Sequence, residues 1–172
     1  RDISLITTPP TGRKSVKTIV SRYSKSLVFE AIQREFYRDG QVFYLLNNVS
    51  MLEEKKKEIS DRFPGKKIAF AHGQLRPKEL SKVMESFIRK EIDLLVCTTI
   101  IESGIDIENA NTLIVEESEN YGLSQLHQIR GRVGRSKREA YAYFFLNENK
   151  ELKNKASERI EALQENESLL SG

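Results

Sequence analysis

Short, unbroken apolar runs constrain this sequence more than any other feature. Residues 41–46 (QVFYLL), 67–71 (KIAFA), 93–97 (DLLVC), 111–115 (NTLIV) and 140–146 (AYAYFFL) are too short for buried helices. They carry little of the polar alternation of a strand with one wet face, so they read as strands buried on both faces. A further short strand is predicted over 16–20. Between the runs lie stretches with helical spacing. Residues 26–38 set Leu27, Val28, Ala31, Ile32, Glu35 and Phe36 on one stripe, and 77–89 does the same with Leu80, Val83, Met84 and Phe87. Helices are also predicted over 51–62 and 123–131. Strands alternating with helices imply an α/β domain whose mainly parallel sheet is covered on both sides.

Local signals divide these elements. Gly40 reads as the stop of the first helix, Asn47 and Asn48 as breakers, Ser50 as the cap of the second helix, and Pro64-Gly65 as a turn. The run Glu53-Glu54-Lys55-Lys56-Lys57-Glu58 reads as a solvated helix face with i,i+4 pairing. Met51, Met84 and Cys97 read as core. Residues 1–15, with Thr8-Pro9-Pro10-Thr11-Gly12, read as a linker or lead-in. The folded domain is expected over 16–147. A tail helix follows within 148–172, its stripe of Leu152, Ala156, Ile160 and Leu163 narrow enough to dock on a neighbour.

Composition narrows the function classes. A chain of 172 residues is one domain by length. A single cysteine excludes an internal disulfide, and two histidines leave little for a metal site. No apolar run approaches the ~18–20 residues of a membrane span, and the start lacks a secretory pattern, so a reducing cytoplasmic setting is expected. Asn48-Val49-Ser50 and Asn166-Glu167-Ser168 are then chance glycosylation triplets. The net charge of +3, from 28 basic and 25 acidic side chains, is too small to argue for nucleic acid by itself. Its distribution says more. Arg130, Arg132, Arg135, Lys137 and Arg138 cluster near Glu116, Glu117 and Glu119 in the sequence, which suggests a phosphate-bearing partner.

In open parallel sheets ligands gather at the carboxyl ends of the strands. Three segments there carry chemistry. Gln128-x-x-Gly131-Arg132-x-Gly134-Arg135 spaces two guanidinium groups one helical turn apart, with glycines that let another surface approach. Two such groups aimed at one polyphosphate would stabilise charge on a departing phosphoryl group. The alternative is a basic surface turn ion-paired to the nearby glutamates. Thr98-Thr99, followed by Gly104-x-Asp106, could hold a phosphate or a ribose, or could be a helix cap and a turn. His72-Gly73 could touch a phosphate or merely end a strand, and His127 reads as orienting its helix rather than as a base. No G-x-x-x-x-G-K-[ST] is present, and Gly12-Arg13-Lys14-Ser15 has the wrong spacing. The chain could therefore complete an ATP site but not build one.

Together, His72-Gly73-Gln74, the VCTTIIESGIDI stretch and QLHQIRGRVGR resemble motifs of the superfamily 2 helicases in order and spacing. The lead-in Arg1-Asp2-x-Ser4-x-Ile6-x-Thr8-Pro9-Pro10, the YGLSQLHQ run and Ala140-Tyr141-Ala142-Tyr143 narrow the resemblance to the bacterial transcription-repair coupling factors. Ser103 and Ile129 stand where threonine and leucine are common. The resemblance implies a RecA-like three-layer sandwich with a C-terminal helix, the second motor domain of an ATP-dependent double-stranded DNA translocase. Arg132 and Arg135 would be the catalytic arginine fingers. Gln128, Gly104 and Asp106 would face the nucleotide, and His72, Gly73, Thr98 and Thr99 the DNA backbone. ATP and Mg2+ would be bound mainly by the first motor domain. RNA polymerase and repair proteins would be met through other domains, and residues 148–172 would begin the translocation hairpin. Two alternatives stand beside this one: the same domain of a fork-remodelling branch-migration helicase, and a stand-alone nucleic-acid-binding module. The reading requires the arginine pair to lie on the rim where the partner lobe's nucleotide docks, taken here as the sheet's carboxyl edge.

Overall fold

The computed structural model describes residues 16–98, 110–134 and 138–147. Six strands form one sheet: β1 (Val16–Arg22), β2 (Gln41–Leu45), β3 (Ile68–Ala71), β4 (Leu94–Cys97), β5 (Ala110–Val115) and β6 (Ala140–Leu146). Their spatial order is β1-β6-β5-β2-β4-β3, and every pairing is parallel. Four helices connect them: α1 (Lys25–Tyr37), α2 (Val49–Arg62), α3 (Pro77–Ile88) and α4 (Leu123–Arg130). All six predicted strands and all four predicted helices within the described residues are present. The expected linker over 1–15 and tail helix over 148–172 lie outside them.

Burial follows strand position. Every residue of the central strands β2, β4 and β5 is buried, whereas the edge strand β1 is mostly half-buried and the edge strand β3 half-buried at Ala69 and Phe70. Successive strand residues point to opposite faces, so the strands feed two separate cores. Phe43, Leu45, Leu95, Leu113, Val115 and Phe144 meet Met84 and Phe87 of α3 and Leu126 and Ile129 of α4. Val42, Tyr44, Leu94, Val96, Ile114 and Phe145 meet Val28, Ile32 and Phe36 of α1 and Leu52 and Ile59 of α2. The result is a three-layer sandwich. Met84 and Cys97 lie in the core as expected, but Met51 is exposed.

Two helix boundaries differ from expectation. Asn48, not Ser50, caps α2: its side-chain oxygen accepts from the Ser50 N–H at 3.2 Å. The left-handed residue after α1 is Asp39, at φ +60°, not Gly40. Gly40 is needed for space instead. A Cβ there would lie 1.7 Å from Glu35 Oε2. That carboxylate is fully buried and held by Arg38 at 2.7 Å and by the Thr112 hydroxyl, which donates to it. Arg38 also donates to the Glu139 carbonyl at 2.7 Å. Hydrogen bonding to Glu35 raises the Arg38 pKa against the opposing effect of burial. The network ties α1 to β5 and to the entry of β6.

Gly40→Ala should force the Glu35 carboxylate off these partners. The expected cost is on the order of 2–4 kcal/mol, read from urea denaturation of the chain. Unchanged stability would mean that the carboxylate swings aside freely.

Candidate nucleotide and nucleic-acid site

The carboxyl ends of β3 and β4 bring His72 and Thr98 together. Ala71 and Cys97 are register partners, and the Thr98 N–H donates to the Ala71 carbonyl at 3.4 Å. Thr98 is buried, Gly73 is exposed and His72 lies between. The Gln74 N–H donates to His72 Nδ1 at 3.1 Å, so the neutral ring carries its proton on Nε2. This edge thus offers a hydroxyl, an imidazole N–H and an open glycine. Thr99, Gly104 and Asp106 lie outside the described residues.

The carboxyl end of β5 is acidic and largely committed within the fold. Glu116 accepts from the Tyr44 hydroxyl and pairs with Lys55 at 3.1 Å. Lys55 also bonds Glu58 at 3.0 Å, and Glu58 pairs with Lys25 at 3.1 Å. Asn147 donates to Glu117 and, from its backbone, to Glu119. Burial pushes the Tyr44 hydroxyl pKa well up, and Glu116 adds to it. Burial lowers that of Lys55, but Glu116, Tyr23 and Glu58 more than reverse it. The charge run of α2 is therefore only partly the solvated face expected from sequence. Lys57 and Asp61 make the exposed i,i+4 pair, while Lys55 turns inward. No spacing rule revealed this, because its partner Glu116 lies on a distant strand end.

The arginine segment goes elsewhere. α4 starts near the carboxyl edge, where the Gln125 side chain accepts from the Gly122 N–H at 3.0 Å. It buries Leu126 and Ile129 and leaves Gln128 exposed. Arg130 reaches back to the Thr18 hydroxyl of β1 at 3.1 Å and to His127 Nδ1 at 3.2 Å. Burial, and then the charge of Arg130, lower the His127 pKa, which suits a positioning role better than that of a charged group. After α4 the Gly134 N–H donates to the carbonyl of Ala110, the first residue of β5. A Cβ on Gly134, at φ +69°, would lie 2.4 Å from the Cβ of Ala140, the first residue of β6.

The turn carrying half-buried Arg132 therefore sits at the amino ends of β5 and β6, opposite His72 and Thr98. This corrects the expectation that all three segments gather at the carboxyl edge. The physical reason is direction: a helix following a parallel strand must return along the sheet to start the next one. Gly134, too, makes room for β6 of its own chain rather than for an outside surface. Glu116 is held by Lys55 and Tyr44, and Arg138 donates to the Arg38 carbonyl at 2.8 Å. Arg135 and Lys137 lie outside the described residues.

Residues 25–137 match the model of the helicase conserved C-terminal domain. The chain belongs to that family. Over all 172 residues this helicase domain is 51% identical to the transcription-repair-coupling factor of Staphylococcus haemolyticus and 50% identical to that of Staphylococcus aureus. It spans 15% of the length of these curated relatives. The structure of RecG bound to a three-way DNA junction superposes with a TM-score of 0.78 and 35% identity, over 92% of this chain and 21% of that one. Saccharomyces cerevisiae Dbp5, solved bound to RNA and ADP BeF3, shares the fold at a TM-score of 0.63 and 16% identity, over 87% and 39% of the two chains. The six-stranded sheet is thus a RecA-like helicase lobe. Among the described residues no helix is long and apolar enough to cross a membrane.

The half-buried Lys55 node yields a pH dependence. Burial raises the Glu58 pKa, but Lys55 and Lys25 outweigh it and hold the carboxyl below its ordinary value. A carboxyl lowered in the folded state stabilises above its unfolded pKa of ~4.3, and that contribution is lost as pH falls through the folded value. Denaturant midpoints taken below about pH 4.5 should therefore decline less steeply in Glu58→Gln than in the unsubstituted domain. Equal slopes would exclude the linkage.

Proposed function

We propose that the chain is the second motor lobe of an ATP-dependent double-stranded DNA translocase of the transcription-repair coupling type. In the complete protein it would displace stalled RNA polymerase and help recruit repair proteins through other domains, in the bacterial cytoplasm. The domain proper would be 16–147, with 1–15 leading in and 148–172 beginning the translocation hairpin. The observation that carries the proposal is the 50–51% identity to transcription-repair-coupling factors over all 172 residues.

In this reading the amino-end turn meets the other lobe. Arg132 and Arg135 would grip the terminal phosphate of ATP bound there, with Gln128, Gly104 and Asp106 along the same cleft. Permanently charged, forked guanidinium groups suit phosphoryl charge that grows in the transition state. Magnesium would be held with the nucleotide by the other lobe. The described residues gather no group of three carboxylate, imidazole or thiolate ligands, and the sequence carries no phosphate-binding loop of the Walker type. The carboxyl edge would face DNA, where Thr98, Thr99, His72 and Gly73 offer neutral donors to phosphate oxygens. Such contacts position a duplex without reading its sequence. Closure around ATP and reopening after hydrolysis would move the edge relative to the other lobe.

A second reading, supported by the 35% identity to RecG, is the same lobe of a fork-remodelling helicase. Displacement of a stalled polymerase, as against regression of a branched DNA, separates the two.

Two outcomes test the lobe assignment. Arg135→Ala in the complete protein should lower DNA-stimulated ATP turnover by on the order of 10³-fold or more while leaving ATP binding within a few-fold. Unaltered turnover removes the finger role. The 172-residue chain alone should hydrolyse no ATP; turnover above buffer in a phosphate-release assay would contradict the assignment of the nucleotide site to the other lobe.

A further inference from the structure

We propose that Lys56, Phe70 and His72 form one phosphate-contacting track along the β3 edge, in which Lys56 is a nucleic-acid contact and Phe70 positions its two neighbours. This rests on the reading of the carboxyl edge as the DNA face and extends that face onto α2.

The track starts from strand geometry. Phe70 and His72 are two residues apart at the end of an edge strand, so they leave the sheet on the same side. Phe70 packs with the core under α1 and α2, which fixes that side as the α2 side. The rings of Phe70 and His72 stack, 6.4 Å between centroids and 15° between planes. Lys56 Nζ lies 5.7 Å from the Phe70 centroid. One half-buried ring therefore holds an ammonium group and an imidazole on neighbouring positions of a single surface.

Charge accounting singles out Lys56. Its neighbours are spoken for: Lys55 is drawn in to Glu116 and Glu58, and Lys57 pairs with Asp61 at 2.9 Å. Among the described residues the contact of Lys56 is with the Phe70 ring, which orients the ammonium but takes none of its charge. Glu53 and Glu54 stand one turn earlier on α2, and with Ser50, Lys56 and Lys57 they line a shallow open groove. The outer surface of α2 is thus mixed in sign, and the track is confined to the flank facing β3. At the other end the Gln74 N–H on Nδ1 leaves His72 an Nε2–H, and no described residue accepts it. A cation and a neutral donor fixed by the same ring suit successive phosphates of one strand, and no group of the track reads a base.

The two contacts predict different salt behaviour. A lysine on a phosphate releases a counterion, whereas an uncharged N–H donor does not; the titrations are run at pH 8.5, well above the ~6.5 of an ordinary imidazole. Anisotropy titrations of a fluorescein-labelled, mixed-sequence DNA duplex with the chain, across a salt series, separate them. Lys56→Gln should weaken binding and reduce the slope of log K against log salt by about 0.9. His72→Ala should weaken binding with the slope unchanged. Phe70→Leu should impair both contacts, and Phe70→Tyr should restore them. Lys57→Gln, which removes a paired surface lysine, should leave the slope intact. A Lys56→Gln slope equal to that of Lys57→Gln overturns the proposal, while weakened His72→Ala and Thr98→Val in the same series would leave the DNA-facing edge standing. If those two variants bind like the unsubstituted chain, or if that chain shows no salt-dependent binding, the DNA-facing edge itself falls and the track with it.

Discussion

Roofing the sheet on both faces is the constraint from which the rest follows. A strand covered on two sides has no wet position, so β2, β4 and β5 must be apolar at successive residues. The alternation that would mark one wet face becomes instead a division between two cores, one under α1 and α2 and one under α3 and α4. Polar groups that enter this interior need partners. Gln41 donates to the Phe87 and Ile92 carbonyls at 2.7 Å, closing the end of α3 against β2. Glu35 is buried at one end of the sheet, and the Tyr44 hydroxyl towards the other. Each is held by residues from a different element, so the polar groups staple helices to strand ends where apolar packing alone would let them slide.

These staples explain what could be read from the sequence and what could not. Runs such as QVFYLL and AYAYFFL announce strands because the information is local: buried neighbours, short length and breakers on each side. The helices were legible for the same reason, through stripes such as Val28, Ile32 and Phe36. Two of the misreadings involve partners far apart in the chain. Gly40 is a glycine because the Glu35 carboxylate occupies the space of its Cβ, held there by Thr112 on β5. Lys55 belongs to an apparently solvated run, but Glu116, on a distant strand end, draws it inward. Ser50 and Asn48 are both competent caps, and only the path of the chain leaving β2 decides that Asn48 serves.

The candidate site was legible in its residues but not in its layout. His72 and Thr98 follow strands, and the strand-end rule put them on one edge, where the pairing of Ala71 with Cys97 brings them together. The same rule misplaced Arg132. It treats whatever follows a strand as belonging to that strand's carboxyl end, but α4 is long enough to leave it. Eight helical residues rise about 12 Å. With the four residues that follow the helix, that rise carries the chain back to the amino end of β5, where Gly134 closes against Ala110 and Ala140.

The layout bears on how such a lobe could couple two ligands. The two edges belong to one sheet whose central strands are buried throughout, and packed interiors deform little. α4 packs Leu126 and Ile129 against one face of the sheet and ends beside the tie from Gly134 to Ala110, at the amino ends of the strands. The Arg130 contact with Thr18 adds a further tie, to the outer strand β1. If the lobe turns as one packed body, a movement that brought the Arg132 turn toward a nucleotide would carry the His72–Thr98 edge with it. Coupling would then need no relay of side-chain rearrangements across the sheet: the rigidity of the sandwich converts closure at one edge into displacement at the other.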